Sequence, residues 1–276
     1  MMSSGCASED DLALPELAGC DPLTQGYTLL PPVPDGLLAS VLLQIQLENI
    51  EYFDAFFDPS GGYEEEHFRV MCWTRCPTMG ALFIYSSISG CWTNGASISW
   101  HALGLEVQLL EVIVLPDLWP TYAYGCLYWK EVISNKLIEL NINNMEFSIV
   151  NLPPDYENRD IAVVEAGEGR IGMVSLIHRA ETLRYSIMQN ETENANEHPV
   201  ETTIPLPNEH DIYFIDGAAE GYIFLQGCHR DNTRRPAFFS LRIKTMKVEK
   251  VCSSNCVPYH LIPYFGFPPF MSPRRM

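Results

Sequence analysis

Basic residues are scarce in this 276-residue sequence: 17 lysines and arginines stand against 35 aspartates and glutamates, a net charge of −18. A chain this acidic repels phosphate backbones, which sets nucleic acid aside as a partner. The paired basics, Arg234-Arg235 and Arg274-Arg275, are too few to form an electrostatic footprint. Long apolar runs are missing too. A membrane span needs roughly 18 uninterrupted apolar residues, and the best stretch, residues 103–118, carries Glu106, Gln108 and Glu111. Residues 1–11 are polar and acidic, without the basic start and apolar middle of a secretory signal. The nine cysteines (Cys6, Cys20, Cys72, Cys76, Cys91, Cys126, Cys228, Cys252 and Cys256) are odd in number and scattered. They read as reduced thiols in a reducing compartment, so a cytoplasmic or nuclear location is expected and no membrane partner. Without export, the glycosylation sequon Asn190-Glu191-Thr192 is a chance match.

Helical periodicity is also thin. Short runs that alternate or are solidly apolar lie between turn formers, the pattern of strands. Asn135-Lys136-Leu137-Ile138-Glu139-Leu140 predicts a strand, Asn143-Asn144 a tight turn, and residues 145–150 the returning strand. The arrangement recurs at residues 238–251 around Lys244-Thr245, and at residues 81–92 around Ser86 to Gly90. Ahead of these hairpins, Gly125, Gly169 and Gly221 each precede an apolar strand, 44 and 52 residues apart. Strand ends at Leu152-Pro153, Leu206-Pro207 and Val251-Cys252 are spaced 54 and 45. Units of this length, each of four short strands, are the sign of a β-propeller, because one small sheet cannot bury both of its faces alone. The fold class expected is therefore all-β, a propeller of degenerate four-stranded blades, about five units being recognisable and the first entered part-way. A β-sandwich or two small β domains is the alternative architecture. Residues 48–66 and 191–198 break the pattern and read as an acidic and a polar loop.

Gly167-Glu168-Gly169-Arg170-Ile171-Gly172 fits the glycine fingerprint of a dinucleotide fold. Glu165 and Glu168 would then face the phosphates and no βαβ alternation surrounds the motif, so a β-hairpin turn is the expectation. Residues 86–92 resemble one aspartate box of sialidase-type propellers, but Ile88 holds the aspartate position and no second copy occurs. They read as a turn with Trp92 packing between blades. Cys72/Cys76 and Cys252/Cys256 are spaced too widely for zinc knuckles, even with His67 and His260 nearby, and are expected as buried strand thiols. The seven histidines are dispersed, and Glu64-Glu65-Glu66 is a solvated charge run. No nucleophile elbow, phosphate-binding loop or His-Glu-x-x-His motif is present. No catalytic, cofactor-binding or metal-ligating residue is assigned, and no enzyme is expected.

Three stretches, in order, carry a resemblance. The first is Cys20-Asp21-Pro22-Leu23-Thr24, running through Tyr27 to Leu30-Pro31-Pro32-Val33-Pro34. The second is Phe147-Ser148-Ile149-Val150-Asn151-Leu152-Pro153-Pro154 followed by Val164-Glu165-Ala166 and the glycine motif. The third is the tail Pro263-Tyr264-Phe265-Gly266-Phe267-Pro268-Pro269-Phe270-Met271-Ser272-Pro273-Arg274-Arg275. Together they resemble the C-terminal domain of plant F-box proteins, particularly the expanded grass group. The resemblance implies an F-box-associated β-propeller at residues 20–276 after a poorly ordered leader at 1–19. In that family an N-terminal three-helix F-box docks on the Skp1-type adaptor of an SCF ubiquitin ligase, and the propeller presents the protein substrate. No F-box is recognisable here: Leu14-Pro15-Glu16-Leu17 echoes its opening, but the β region begins at Cys20. The function expected is a non-enzymatic, substrate-binding propeller that engages the adaptor only if an F-box lies upstream. A propeller-type hydrolase or glycan binder is the alternative, distinguished by whether several Asp, Glu, His or Arg gather in a pocket at the propeller axis. A truncated relic is a third, distinguished by the lack of a cooperative unfolding transition. The tail 257–276 is expected to close against the first blade.

Overall fold

The structure is a computed structural model that describes residues 16–20, 27–45, 52–59, 67–76, 78–105, 120–130, 135–156, 159–177, 181–188, 201–219, 221–230 and 235–253. The chain divides into two compact units. The first holds a two-stranded ribbon of β1 (Ala18–Cys20) and β2 (Tyr27–Leu29), then the helix α1 (Asp35–Ile45). A four-stranded antiparallel sheet follows, built from β3 (Tyr52–Phe57), β4 (Arg69–Arg75), β5 (Met79–Ser86) and β6 (Cys91–Ser99). The second unit contains three more such sheets. They are β7 (Thr121–Ala123), β8 (Cys126–Lys130), β9 (Lys136–Asn141) and β10 (Glu146–Asn151); β11 (Arg159–Glu165), β12 (Ile171–Ile177), β13 (Thr182–Ile187) and β14 (Glu201–Pro205); and β15 (Ile212–Ala219), β16 (Tyr222–Cys228), β17 (Ala237–Arg242) and β18 (Lys247–Ser253). Each sheet is a simple meander of consecutive strands. This is the blade architecture of a β-propeller, and the described residues contain four blades.

Within the second unit the first strands β7, β11 and β15 lie beside one another. Strand β11 shows why blades must stack. Its odd-numbered Ile161 and Val163 join Ala123, Tyr128 and Leu137 of the second blade in one core. Its even-numbered Ala162 and Val164 join Tyr213, Ile215, Leu225 and Phe239 of the fourth in another. A strand covered on both faces needs no polar alternation, which accounts for the solid apolar run Ile161-Ala162-Val163-Val164. Outermost strands such as β18 are largely exposed and carry Lys247, Glu249 and Lys250, charges that blunt a free edge.

The three hairpins expected from the sequence share one loop geometry. Gly90, Met145 and Met246 each donate their N–H to the carbonyl four residues back, on Ser86, Asn141 and Arg242. All three are left-handed, with φ of 66°, 57° and 53°. The asparagines expected to take positive φ at 143–144 do not; Met145 does. An L-residue with a Cβ costs about 1 kcal/mol in this conformation. Gly90→Ala, at a site with nothing within 4 Å of an added Cβ, is therefore expected to destabilise by about 1 kcal/mol from backbone strain alone. Met145→Gly is expected to gain roughly 0.5 kcal/mol after loss of side-chain contact. Opposite shifts of the urea midpoints would establish this; equal signs would refute it.

Three expectations are corrected. Of the resemblance's first stretch, Cys20 lies on β1 and Tyr27 on β2, residues 21–26 lie outside the described residues, and the described residues show four four-stranded blades, not five units. The acidic loop expected at 48–66 contains β3, whose residues pair with β4 from Tyr52↔Arg75 to Phe57↔Val70. Val251 does not end a strand but lies inside β18 and is exposed. The polar loop 191–198 and the tail 257–276 lie outside the described residues.

Candidate functional site

The glycines that mark the repeat all sit in the turn between the first and second strands of a blade. Tyr124-Gly125 joins β7 to β8, with φ of 47° and 81°. Gly167-Glu168-Gly169 lies between β11 and β12, all three left-handed at 85°, 56° and 73°. Gly221 precedes β16 at 78°. The dinucleotide-like motif is thus a hairpin, closed by Ala166 N–H to the Arg170 carbonyl at 2.9 Å and Arg170 N–H to the Gly167 carbonyl at 3.0 Å. Residues 173–177 and 182–187, within the stretch where a phosphate-binding helix would begin, lie in strands β12 and β13.

Two of these turns are tied together. The Tyr124 N–H donates to Glu165 Oε1 at 3.0 Å, and the Tyr124 phenol oxygen accepts from Gly167 N–H at 3.1 Å. Tyr124 is nevertheless 40% exposed. The third turn presents Tyr222, 36% exposed, with the Arg242 guanidinium 6.0 Å from its ring centre. In the second and fourth blades the third-to-fourth-strand loop braces the glycine turn of the same blade. Ile142 N–H donates to the Gly125 carbonyl and Ile243 N–H to the Gly221 carbonyl, both at 2.9 Å. The turn end of the second unit therefore presents an anchored Tyr124 and an exposed Tyr222, with Glu165, Glu168, Arg170 and Arg242 on the same turns and loops. Tyr185 supports it from below, its ring lying over Gly172.

The inner strands carry a second cluster. Thr121 Oγ1 of β7 accepts from Val163 N–H of β11 at 3.1 Å. Asp160 of β11, 6% exposed, accepts from Ile215 N–H of β15 at 3.5 Å. The next residue, Asp216, is the unpaired residue of a β-bulge between Ile215 and Gly217. Its Oδ2 is buried without a hydrogen-bond partner. Burial, and then the Asp160 charge, push its carboxyl from 3.8 up to about 7. A bulge re-aims a side chain off the ladder, which is how this acid comes to lie beside the first.

The remaining expectations resolve individually. Cys72 and Cys76 are buried core thiols; burial, reinforced by Asp54, pushes Cys72 well up, and the Cys76 thiol donates to the Met79 carbonyl at 3.3 Å. Cys252 is exposed on β18, against expectation, because β18 is an edge strand. Cys256 and His260 lie outside the described residues. The box-like run 86–92 is a turn, and Trp92 donates its indole N–H to the Pro31 carbonyl at 2.7 Å and packs on Tyr85. The histidines are less dispersed than they read. His210 and His229 stack with ring centres 4.6 Å apart, and His229 Nδ1 is 3.4 Å from Asp211 Oδ2. Burial first, then His229, lowers the His210 pKa. Among the described residues no three His, Cys, Asp or Glu side chains converge as a metal-binding group, and no helix is long and apolar enough to cross a membrane.

No protein-family profile matches the chain, and no curated protein matches its sequence. Solved structures similar to it include a post-proline cleaving enzyme from Rickettsia typhi, at 7% identity and a TM-score of 0.36 over 87% of this chain. Prolyl oligopeptidase B from Galerina marginata follows at 8% identity and 0.35 over 72%. A hypothetical protein from Leishmania major shows 11% identity and 0.35 over 81% of both chains. The chain spans 38% and 28% of the two enzymes' lengths. At such values no activity passes to this protein.

Proposed function

We propose that the protein is a non-catalytic, protein-binding propeller of the F-box-associated kind, and that it takes its partner on the glycine-turn end of the second unit. The observation that carries this reading is the pairing of exposure with rigidity at Tyr124. Its ring is open to solvent while its N–H and phenol oxygen are both anchored to the neighbouring blade. Tyrosines are enriched at interfaces because they bring large contact area at little cost in side-chain entropy. Tyr222 repeats the display, and Glu165, Glu168, Arg170 and Arg242 supply a polar rim of mixed sign. On this reading the partner is a folded protein or peptide, presented for ubiquitination where the chain is joined to an adaptor-binding F-box.

The test is photo-crosslinking in cells with a benzophenone amino acid in place of Tyr222, compared with one in place of Ile177. Ile177 is 41% exposed but ends β12, away from these turns. A discrete protein adduct is expected only from position 222. The double variant Tyr124→Ala, Tyr222→Ala is expected to weaken binding of the captured protein by roughly 10–100-fold. Equal capture from both positions, or unchanged affinity of the double variant, would overturn the assignment.

A further inference from the structure

The end of the β15–β16 hairpin far from Gly221 holds a cluster that partner binding does not use. His210 lies on the segment that carries the chain from the third blade into β15, and His229 directly follows β16. Their rings stack with centres 4.6 Å apart. Tyr213 and Phe239 meet the His210 ring nearly at right angles, with centres 6.0 and 5.5 Å away. Gly227 leaves the room for it, since a Cβ there would lie 2.9 Å from His210 Cγ. The Nδ1 atom of His210 is buried without a hydrogen-bond partner among the described residues. A neutral imidazole suits such a slot. An imidazolium carries a proton on both nitrogens, so Nδ1 would become a buried donor without an acceptor.

We propose that this cluster is a pH-sensitive latch, which holds the entry to β15 while His210 is neutral and releases it when His210 and His229 are both protonated. The charges around the pair accommodate one proton and oppose a second. Asp211 Oδ2 lies 3.4 Å from His229 Nδ1 and also accepts the Arg230 N–H, so a proton on His229 meets a counter-charge. His210 is less well placed. Glu209, beside it in the chain, is paired with Lys250 of β18 at 3.2 Å. Burial, then His229, then Lys250 lower the His210 pKa, and they outweigh the Arg235 backbone hydrogen bond and Glu209, which raise it. Tyr213 of β15 and Cys228 of β16 are neutral, their pKa values raised by burial first. On β18, Lys247 and Glu249 pair with each other. Arg230 and Arg235, both exposed, add only positive charge, and residues 231–234 lie outside the described residues. The segment begins where Leu206 N–H donates to the carbonyl of exposed Glu181 at 2.9 Å, and ends where Asp211 N–H donates to the Cys228 carbonyl at 3.1 Å.

A base that titrates lower in the folded chain than in the unfolded one stabilises the fold above its unfolded value, and that contribution is lost as pH falls from there toward the folded value. For His210 the loss begins near 6.5. His210→Phe keeps a ring in the slot and cannot take a proton. Relative to this variant, the folded-to-unfolded ratio of the wild-type chain should fall roughly threefold or more between about pH 7.5 and 5, and by no more than about tenfold per pH unit. Urea denaturation of both full-length proteins reads this difference directly. Proton NMR of the wild-type imidazoles supplies a second reading that needs no His210 variant to fold. His210 should titrate below 6.5, and His229→Gln should move that midpoint upward by removing the facing charge. The Asp211 amide should exchange faster below the midpoint once corrected for intrinsic rate. Parallel pH profiles for the two proteins, a His210 midpoint at or above 6.5, one unmoved by His229→Gln, or an Asp211 amide indifferent to pH would overturn the proposal.

Discussion

Replacing Gly80 with alanine is expected to destabilise the first unit by about 1–3 kcal/mol, the usual cost of forcing a methyl group into filled space. Gly80 opens the way for two indoles. A Cβ at this position would lie 2.7 Å from Trp73 Cζ2 and 2.7 Å from Trp100 Cη2. Neither ring can easily retreat. They meet edge to face with centres 6.3 Å apart, Trp100 donates its indole N–H to the Cys76 carbonyl at 2.9 Å, and the Arg75 guanidinium lies 5.6 Å from the Trp100 ring centre. The methyl must therefore shift β5 against β4, whose pairing runs from Arg69↔Ser86 to Arg75↔Gly80. Gly36→Ala is the matching control, since nothing lies within 4 Å of its added Cβ and it sits in α1. That change should be neutral or stabilising by about 0.5–1 kcal/mol. Tryptophan fluorescence during urea unfolding reports both variants. A Gly80→Ala midpoint equal to wild type would show that the indoles rearrange without cost.

The contrast between these two glycines marks what the sequence could convey. Glycines 125, 169 and 221 were readable as turns because each preceded an apolar strand at a repeated interval, and the structure places all three left-handed between first and second strands. Gly80 gave no such sign; its role depends on Trp73 and Trp100 meeting across strands. Helix α1 was missed for a local reason. Leu37, Leu38, Val41, Leu42, Leu43 and Ile45 leave it without a distinct polar stripe, so the 3.6-residue period that betrays a surface helix is weak. Pro34 followed by Asp35 was the available clue, since both suit a helix start. Strand β3 was hidden by the acidic residues flanking its aromatic run.

The inner-strand acids were legible in type but not in company. Asp160 directly before Ile161-Ala162-Val163-Val164, and Asp216 within Phe214-Ile215-Asp216-Gly217, are charges set against apolar strands, which is itself a signal. Their convergence required a bulge that no local pattern announces. The same holds for His210 and His229, which approach because Ile212 pairs with Cys228 at the far end of a hairpin turned at Gly221. Counting outward from Gly221 does not pair the histidines, because the bulge at Asp216 offsets the register and leaves His210 one position beyond the residue opposite His229. Counting within one blade cannot find Asp160, which belongs to the next.

Arg159 joins two blades in the second unit, and its removal should be among the costliest single changes there. The guanidinium, on a side chain only 5% exposed, lies 4.4 Å from the ring centre of buried Tyr156. Its Nε donates to the Asp155 carbonyl at 2.8 Å, Nη1 to Ser175 Oγ at 3.3 Å and Nη2 to Asp155 Oδ2 at 2.5 Å. These contacts pin the short helical turn Pro154–Tyr156, which leads from the second blade to the third, onto the first strand of the third. Breaking a fully buried ion pair costs about 3–5 kcal/mol because the surviving charge is stranded. Here Asp155 is 59% exposed and can return to water, so that part of the penalty falls away. What remains is the lost packing on Tyr156, the space vacated, and a buried Ser175 hydroxyl without its donor. Arg159→Ala is accordingly expected to cost about 2–4 kcal/mol. Arg159→Lys keeps the stem and one point charge but loses the planar fork and the stacking, and should fall between alanine and wild type. Urea titrations followed by near-ultraviolet circular dichroism, sensitive to the Tyr156 environment, test the order. If lysine restores full stability, charge alone holds the joint; if alanine costs less than about 0.5 kcal/mol, within the range of an ordinary surface substitution, the guanidinium does not secure the link between these blades.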